Sequence, residues 1–211
     1  MIIAFDLNGT LTDLRALTGD DRGRVLFDRA LLLAMADTLS GTVLPFSEYV
    51  RAVLERDAPA VADSAMSRFA TLPAQPGAAE ALKVLRDAGL QTAVVTNSTT
   101  AAAEATLVAA GLRGLVNTVV GTDGVGAYKP DPRVYRNAER RLDASPDQLC
   151  LVAAHAWDVR GARRAGWNAA WVGHTESSLV PSGTRLSAAG ATLPQVARAL
   201  ARRCRREHGC R

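Results

Sequence analysis

The chain has 211 residues, 48% of them apolar and 22% charged, with a formal net charge of +4; this suits one globular domain with a modest insertion and excludes a disordered or fibrous chain. Of the 25 basic residues only Lys83 and Lys129 are lysine, and Arg202, Arg203, Arg205, Arg206 and Arg211 crowd the end, so the body is near neutral. With no basic stripe interleaved with aromatics, a nucleic-acid partner is not expected. Cys150, Cys204 and Cys210 lack metal-ligand spacing, which argues against a disulfide framework or a zinc site. The opening Met1-Ile2-Ile3-Ala4-Phe5-Asp6 has neither a basic nor a long apolar leader, so a cytoplasmic location without a membrane partner is expected.

Short apolar runs and longer helical patterns alternate along the chain. Residues 2–5 form the first run, and no strand follows until after residue 72. Within 14–72, Leu26, Phe27, Ala30, Leu31, Ala34 and Met35 predict a helix over 24–39. Ser47 reads as the N-cap of a second helix carrying Tyr49, Val50, Val53 and Leu54, and 59–70 gives a third. Pro73-Ala74-Gln75-Pro76-Gly77 then returns the chain to alternation. Helices are expected over 77–88, 100–110, 132–142 and 159–165, between apolar runs at 92–95, 116–120, 149–153 and 169–172. Each run is short and apolar on both faces, as buried parallel strands are. The fold class is therefore α/β, a Rossmann-like doubly wound parallel sheet with a small helical cap inserted after the first strand. Residues 1–13 and 73–193 make the core, 14–72 the cap, and 194–211 a C-terminal helix with a solvated, fraying basic tail.

Function in such a sheet gathers at the carboxyl ends of the strands. The first run ends Phe5-Asp6-Leu7-Asn8-Gly9-Thr10, where Asp6 presents a carboxylate and Thr10 a hydroxyl. The second ends in Thr96-Asn97-Ser98. Lys129 lies in the proline-flanked Tyr128-Lys129-Pro130-Asp131-Pro132 loop, and the fourth run leads into Ala153-Ala154-His155-Ala156-Trp157-Asp158. Strand ends thus offer Asp, Thr-Asn, Lys and Asp in that order.

This ordered set resembles the haloacid dehalogenase superfamily over nearly the whole chain, from residue 2 to about 173. The resemblance implies that Asp6 is a nucleophile forming a covalent intermediate, with Thr96 and Lys129 holding substrate and developing charge. Magnesium-dependent phosphatases of that superfamily carry a second aspartate where this chain has Asn8, and another where it has Ala154. Asn8 has no proton of suitable acidity for a leaving alcohol. Asp6, the Asn8 carbonyl and Asp158 could still hold a weak magnesium ion, but no cofactor is required.

Both departures are similar to the type II 2-haloacid dehalogenases, which also carry a Trp-Asp pair like Trp157-Asp158. The implied reaction displaces halide from a short 2-haloacid through an Asp6 ester that water hydrolyses. Asp158 would orient or activate the water. Asn97, with the backbone N–H groups of Leu7 and Asn8, would bind the substrate carboxylate or the halide. That branch holds the halide with an arginine early in the cap, and here Phe27 takes the place, with Arg24 and Arg29 nearby. Phe27 and Trp157 read either as an apolar wall against substrate or as packing; His155 reads either as a base or as a satisfied near-surface histidine. An arginine pointing at Asp6 would strengthen this reading and a dry wall around Phe27 would weaken it. A magnesium-dependent phosphatase and a binding or regulatory protein with a degenerate site are the alternatives. A homodimer is common in the branch.

Overall fold

The computed structural model describes residues 1–176 and 184–208, the side chains of 207 and 208 excepted. The apolar runs become parallel strands because helices cover both of their faces. Strands β1 (Ile2–Phe5), β2 (Gln91–Val95), β3 (Thr118–Val120), β4 (Leu149–Ala153), β5 (Asn168–Val172) and β6 (Ala188–Gly190) form one sheet in the order β3-β2-β1-β4-β5-β6. All pairings are parallel, and Ile2 of β1 registers with Gln91 on one side and Leu149 on the other. The connections are α4 (Ala78–Asp87), α5 (Thr100–Ala109), α6 (Pro132–Leu142) and α7 (Ala156–Arg164), and α8 (Leu193–His208) follows the last strand.

The period of two along a strand sorts its side chains between the faces. Ile3, Phe5, Val94, Cys150 and Val152 pack against Leu82 and Leu85 of α4, Leu107 of α5 and Val196 and Leu200 of α8. Their neighbours Ala4, Ala93, Val95, Leu149 and Leu151 pack against Val134 and Tyr135 of α6 and Val159 and Ala162 of α7. α8 packs its apolar face into the first of these layers up to the buried Cys204. Arg198, Arg202, Arg205 and Arg206 are exposed, and Arg198 pairs with Glu80 of α4 at 2.8 Å. Cys150 is a free buried thiol, whereas Cys204 is disulfide-bonded, where the spacing suggested no disulfide. Cys210 and Arg211 lie outside the described residues.

Residues 14–72 fold as α1 (Arg22–Ser40), α2 (Phe46–Asp57) and α3 (Ala62–Phe69), with short 3-10 turns at Leu14–Leu17 and Pro59–Val61. Leu26, Phe27, Ala30, Leu31 and Ala34 of α1 meet Phe46, Tyr49, Val50, Val53 and Leu54 of α2 in a separate apolar cluster, which Tyr128 joins from the sheet side. Where this block leaves and rejoins the sheet its two connections run side by side. The Asp13 N–H donates to the Pro73 carbonyl at 2.9 Å and the Gln75 N–H to the Leu11 carbonyl at 2.8 Å.

Four details differ from the sequence reading. α2 begins at Phe46 with Pro45, not Ser47, as its N-cap. α7 begins at Ala156, three residues earlier than the apolar spacing indicated, so Trp157 and Asp158 lie in its first turn. β6 is a sixth strand of small residues without a β-branched signature. Trp167 is fully buried, as a core tryptophan should be, but Trp171 is only partly covered. Among the described residues, no helix is long and apolar enough to cross a membrane.

Candidate active site

β1 ends at Phe5, and its next residue, Asp6, projects at the centre of the sheet where strand order reverses. The loop beyond turns tightly, since Thr10, Leu11 and Thr12 each donate an N–H to the Leu7 carbonyl, and Gly9 adopts φ 84°. That turn brings the Thr10 hydroxyl back to donate to Asp6 Oδ2 at 2.8 Å, while Thr10 Oγ1 accepts the Ala154 N–H at 3.0 Å. Leu7 is wholly buried in the core, so only its backbone is available to a ligand.

Lys129 arrives from the loop before α6. Asp131 caps that helix by accepting the Arg133 N–H at 2.8 Å, and Pro132 occupies its first turn. The fully buried ammonium donates to Asp6 Oδ1 at 2.9 Å, to Asp158 Oδ2 at 2.6 Å and to the Val95 carbonyl at 2.9 Å. All three N–H bonds of the amine are therefore used. Burial works against its charge, but the Asp158 and Asp6 carboxylates outweigh burial and hold its pKa above the ordinary lysine value.

Asp158, in the first turn of α7, has both oxygens occupied: Lys129 at one and the Tyr135 hydroxyl at the other, 2.7 Å away. Burial pushes its carboxyl up, Lys129 pulls it back, and Asp6 adds to the push, leaving it raised. Burial and the Asp158 carboxylate lift the Tyr135 phenol well above its ordinary range, so it remains a donor. Asp158 is fully buried and does not line the cavity described below. Its contacts make it the anchor of Lys129.

Thr96, Asn97 and Ser98 follow β2. The Lys129 N–H donates to Asn97 Oδ1 at 2.7 Å, which fixes the amide so that Nδ2 is the free end. Buried Nδ2 has no partner among the described residues. Thr96 Oγ1 accepts the Ser98 N–H at 3.2 Å, and the Asn8 amide donates to Ser98 Oγ at 3.2 Å.

Asp6, Asn8, Thr96, Asn97, Phe27, Leu31 and Trp157 enclose a cavity of about 10 Å³, room for roughly one water molecule. Phe27 and Leu31, one turn apart on α1, and Trp157 give it an apolar wall. Phe27 is also packing, with its ring centroid 5.4 Å from Phe46 and 6.2 Å from Phe69. No arginine of 14–72 lines the cavity: Arg24 pairs with Asp21 at 3.3 Å and Arg29 with Asp57 at 2.8 Å. The wall around Phe27 is apolar, formed with Leu31 and Trp157.

His155 is buried, not near the surface, and stacks on Trp157 with centroids 5.4 Å apart. It does not line the cavity, so direct substrate contact from this position is not what the structure shows. Its Nε2 lies 3.2 Å from the Asn8 carbonyl.

The three groups named as weak magnesium ligands are thus otherwise engaged. Asp6 and Asp158 share the Lys129 ammonium, and the Asn8 carbonyl faces His155. The Lys129 ammonium, not a second carboxylate, is thus the charged neighbour that Asp6 and Asp158 share. Sequence reasoning missed Tyr135, Leu31, Ser98 and Glu176. Leu31 was within reach, being four residues from Phe27 on one helix face.

The Asp6 carboxylate is thus held by one ammonium and one hydroxyl beside an unpartnered amide donor. Similarity to known proteins agrees with this arrangement. The chain is 30% identical over 199 residues to (S)-2-haloacid dehalogenase 1 of Pseudomonas sp. strain CBS-3, covering 92% of this chain and 86% of that one. It is 38% identical over 106 residues to (S)-2-haloacid dehalogenase 4A of Burkholderia cepacia, a match spanning 50% of this chain and only 46% of that relative. The crystal structure of a dehalogenase superimposes with a TM-score of 0.86 at 28% identity, covering 95% of this chain and 96% of the other. The family model for haloacid dehalogenase-like hydrolases matches residues 1–166, and the chain belongs to that family.

Proposed function

We propose that the protein hydrolyses the carbon–halogen bond of a short 2-haloacid, with Asp6 as nucleophile and without a metal. The observation that carries this reading is the Asn97 amide, a buried donor with no protein acceptor, beside Asp6 in an apolar cavity. Buried donors are paired in native proteins, and a halide or a carboxylate oxygen is the partner this site lacks. The Leu7 and Asn8 backbone N–H groups also have no acceptor among the described residues and offer a second anion contact.

In the first step an Asp6 oxygen forms a bond to the α-carbon as the carbon–halogen bond breaks, and halide leaves with the electron pair. A halide needs no proton, so Asn8 in place of an acid costs this chemistry nothing. Lys129 and Thr10 aim the carboxylate and hold it in place. In the second step water adds to Asp6 Cγ and the ester C–O bond breaks. The alkoxide takes one proton of the water to become the 2-hydroxy acid, and the other passes to solvent as Asp6 returns to carboxylate. Lys129, fixed before the reaction begins, offsets the negative charge that collects on the Asp6 oxygens.

The apolar Phe27 wall stands where an arginine is expected for the halide and leaves Asn97 and Trp157 to receive it. It also restricts the site to the smallest haloacids. Halide release from 2-chloropropionate in EDTA, abolished in Asp6→Asn, tests the reading; no release across a panel of short 2-haloacids contradicts it.

A further inference from the structure

An anionic substrate meets a site that is itself negative. Asp6, Asp158 and Lys129 together carry one net negative charge, and the helical block brings no arginine to the cavity. His155 is buried behind the cavity wall, stacked on Trp157, and its surroundings are specific. Nε2 lies 4.0 Å from Asp6 Oδ2 and 3.2 Å from the Asn8 carbonyl, which can only accept. Nδ1 lies 3.8 Å from Glu176 Oε1. Nε2 therefore meets an oxygen that can only accept, and Nδ1 lies at ion-pair distance from a carboxylate, surroundings that favour an imidazole carrying two protons. The loop is shaped to admit the ring: a Cβ on Gly9 would stand 2.6 Å from His155 Nε2.

Glu176 is itself held, accepting the Ala156 N–H at 3.2 and 3.1 Å at the first turn of α7. The helix terminus offsets the Glu176 charge and leaves the imidazolium charge directed at Asp6. We propose that Glu176 positions His155 as a cation beside Asp6, supplying for an anionic substrate the positive charge that Phe27 denies the site. The proposal rests on the 2-haloacid reading and adds to it a positioning residue, Glu176, on the loop after β5.

The groups facing His155 from each packed element favour this state. Asp6 follows β1, Asp28 is on α1, and Glu176 follows β5; burial opposes the charge, but these carboxylates and the Asn8 carbonyl prevail. The opposing cations lie beyond them. His174, whose Nε2 is 3.0 Å from the Gly9 carbonyl, is held below its ordinary pKa by burial, and Arg24 neighbours Asp28.

The test joins a histidine NMR titration to the pH profile of halide release from 2-chloropropionate, in wild type and Glu176→Gln. The glutamine keeps an oxygen for the Ala156 N–H, and a His155→Gln spectrum identifies the resonance. His155 is expected to titrate above the ordinary 6.5 and about one unit lower in Glu176→Gln, with the alkaline fall of kcat/KM moving by the same interval. His155→Gln should raise KM about tenfold with a smaller change in kcat. A titration unmoved by Glu176→Gln, or an alkaline limb that does not follow it, overturns the proposal. If wild type releases no halide, the reaction fails and the role with it, while the titration still decides whether the pair exists. If halide is released and the titration does not move, the pair alone fails.

Discussion

Lys129 is one cation shared by two buried carboxylates, so its removal has a predictable price. Lys129→Met leaves Asp6 and Asp158 facing each other without a counter-charge, and stability should fall by about 3–5 kcal/mol. Urea denaturation measures this, and an unchanged midpoint would show that the two carboxyls are not both charged. Gly161 is a second sensitive point: a Cβ there would stand 2.2 Å from the Tyr135 hydroxyl and 2.7 Å from Pro130 Cβ. Gly161→Ala should part Tyr135 from Asp158, costing about 1–3 kcal/mol and lowering kcat, whereas wild-type kinetics would show that the bond is dispensable. His155 adds a pH dependence. Its pKa is raised on folding, so its contribution to stability is complete below the unfolded value and is lost as pH rises through the folded one. Stability of wild type relative to His155→Gln should decline over that window; a difference flat in pH contradicts the charged pair. Asp6, Thr96, Asn97 and Lys129 were legible because each follows a strand or a proline-bearing loop, where polar residues have no packing reason to sit. Tyr135 was not, since an aromatic on the buried face of α6 is indistinguishable from core until its hydroxyl is seen to reach Asp158.

Among the elements, α1 does two things at once: it builds the apolar cluster of residues 14–72 and closes the cavity with Phe27 and Leu31. Phe27→Ala should therefore cost about 3–5 kcal/mol in stability and shift preference toward longer 2-haloacids. Thermal denaturation and a chain-length series of substrates read the two effects separately, and a stable variant with unchanged preference would place Phe27 outside the site. The strands that were legible are those with Val, Ile and Leu on both faces. β6 was not, because Ala188, Ala189 and Gly190 carry no strand pattern and pair only through their backbones with β5. The start of α7 was misplaced for a related reason. Its first turn holds Trp157 and Asp158, residues chosen for the cavity wall and for Lys129, and their identity hides the helical spacing that begins at Val159. The C-terminal helix was expected from residue 194, and α8 runs Leu193–His208 with Leu193, Val196, Ala197 and Leu200 on its buried face.

At the scale of the whole molecule, the sheet order places β1 between β2 and β4, so one residue past its end can be reached by loops from both sides. Asp6 is that residue. The helical block roofs the same point, and a cavity that holds roughly one water must widen before a haloacid enters. Doubly wound architecture was readable from alternation alone; the lack of an arginine in the roof was not, because it depends on how α1 turns Arg24 and Arg29 toward Asp21 and Asp57. The central claim is a covalent Asp6 ester, and heavy-oxygen water tests it most directly. In a single turnover of 2-chloropropionate with enzyme in excess, mass spectrometry should find the label in the Asp6 peptide and none in the 2-hydroxy acid. Label in the product, with an unlabelled Asp6, would contradict it.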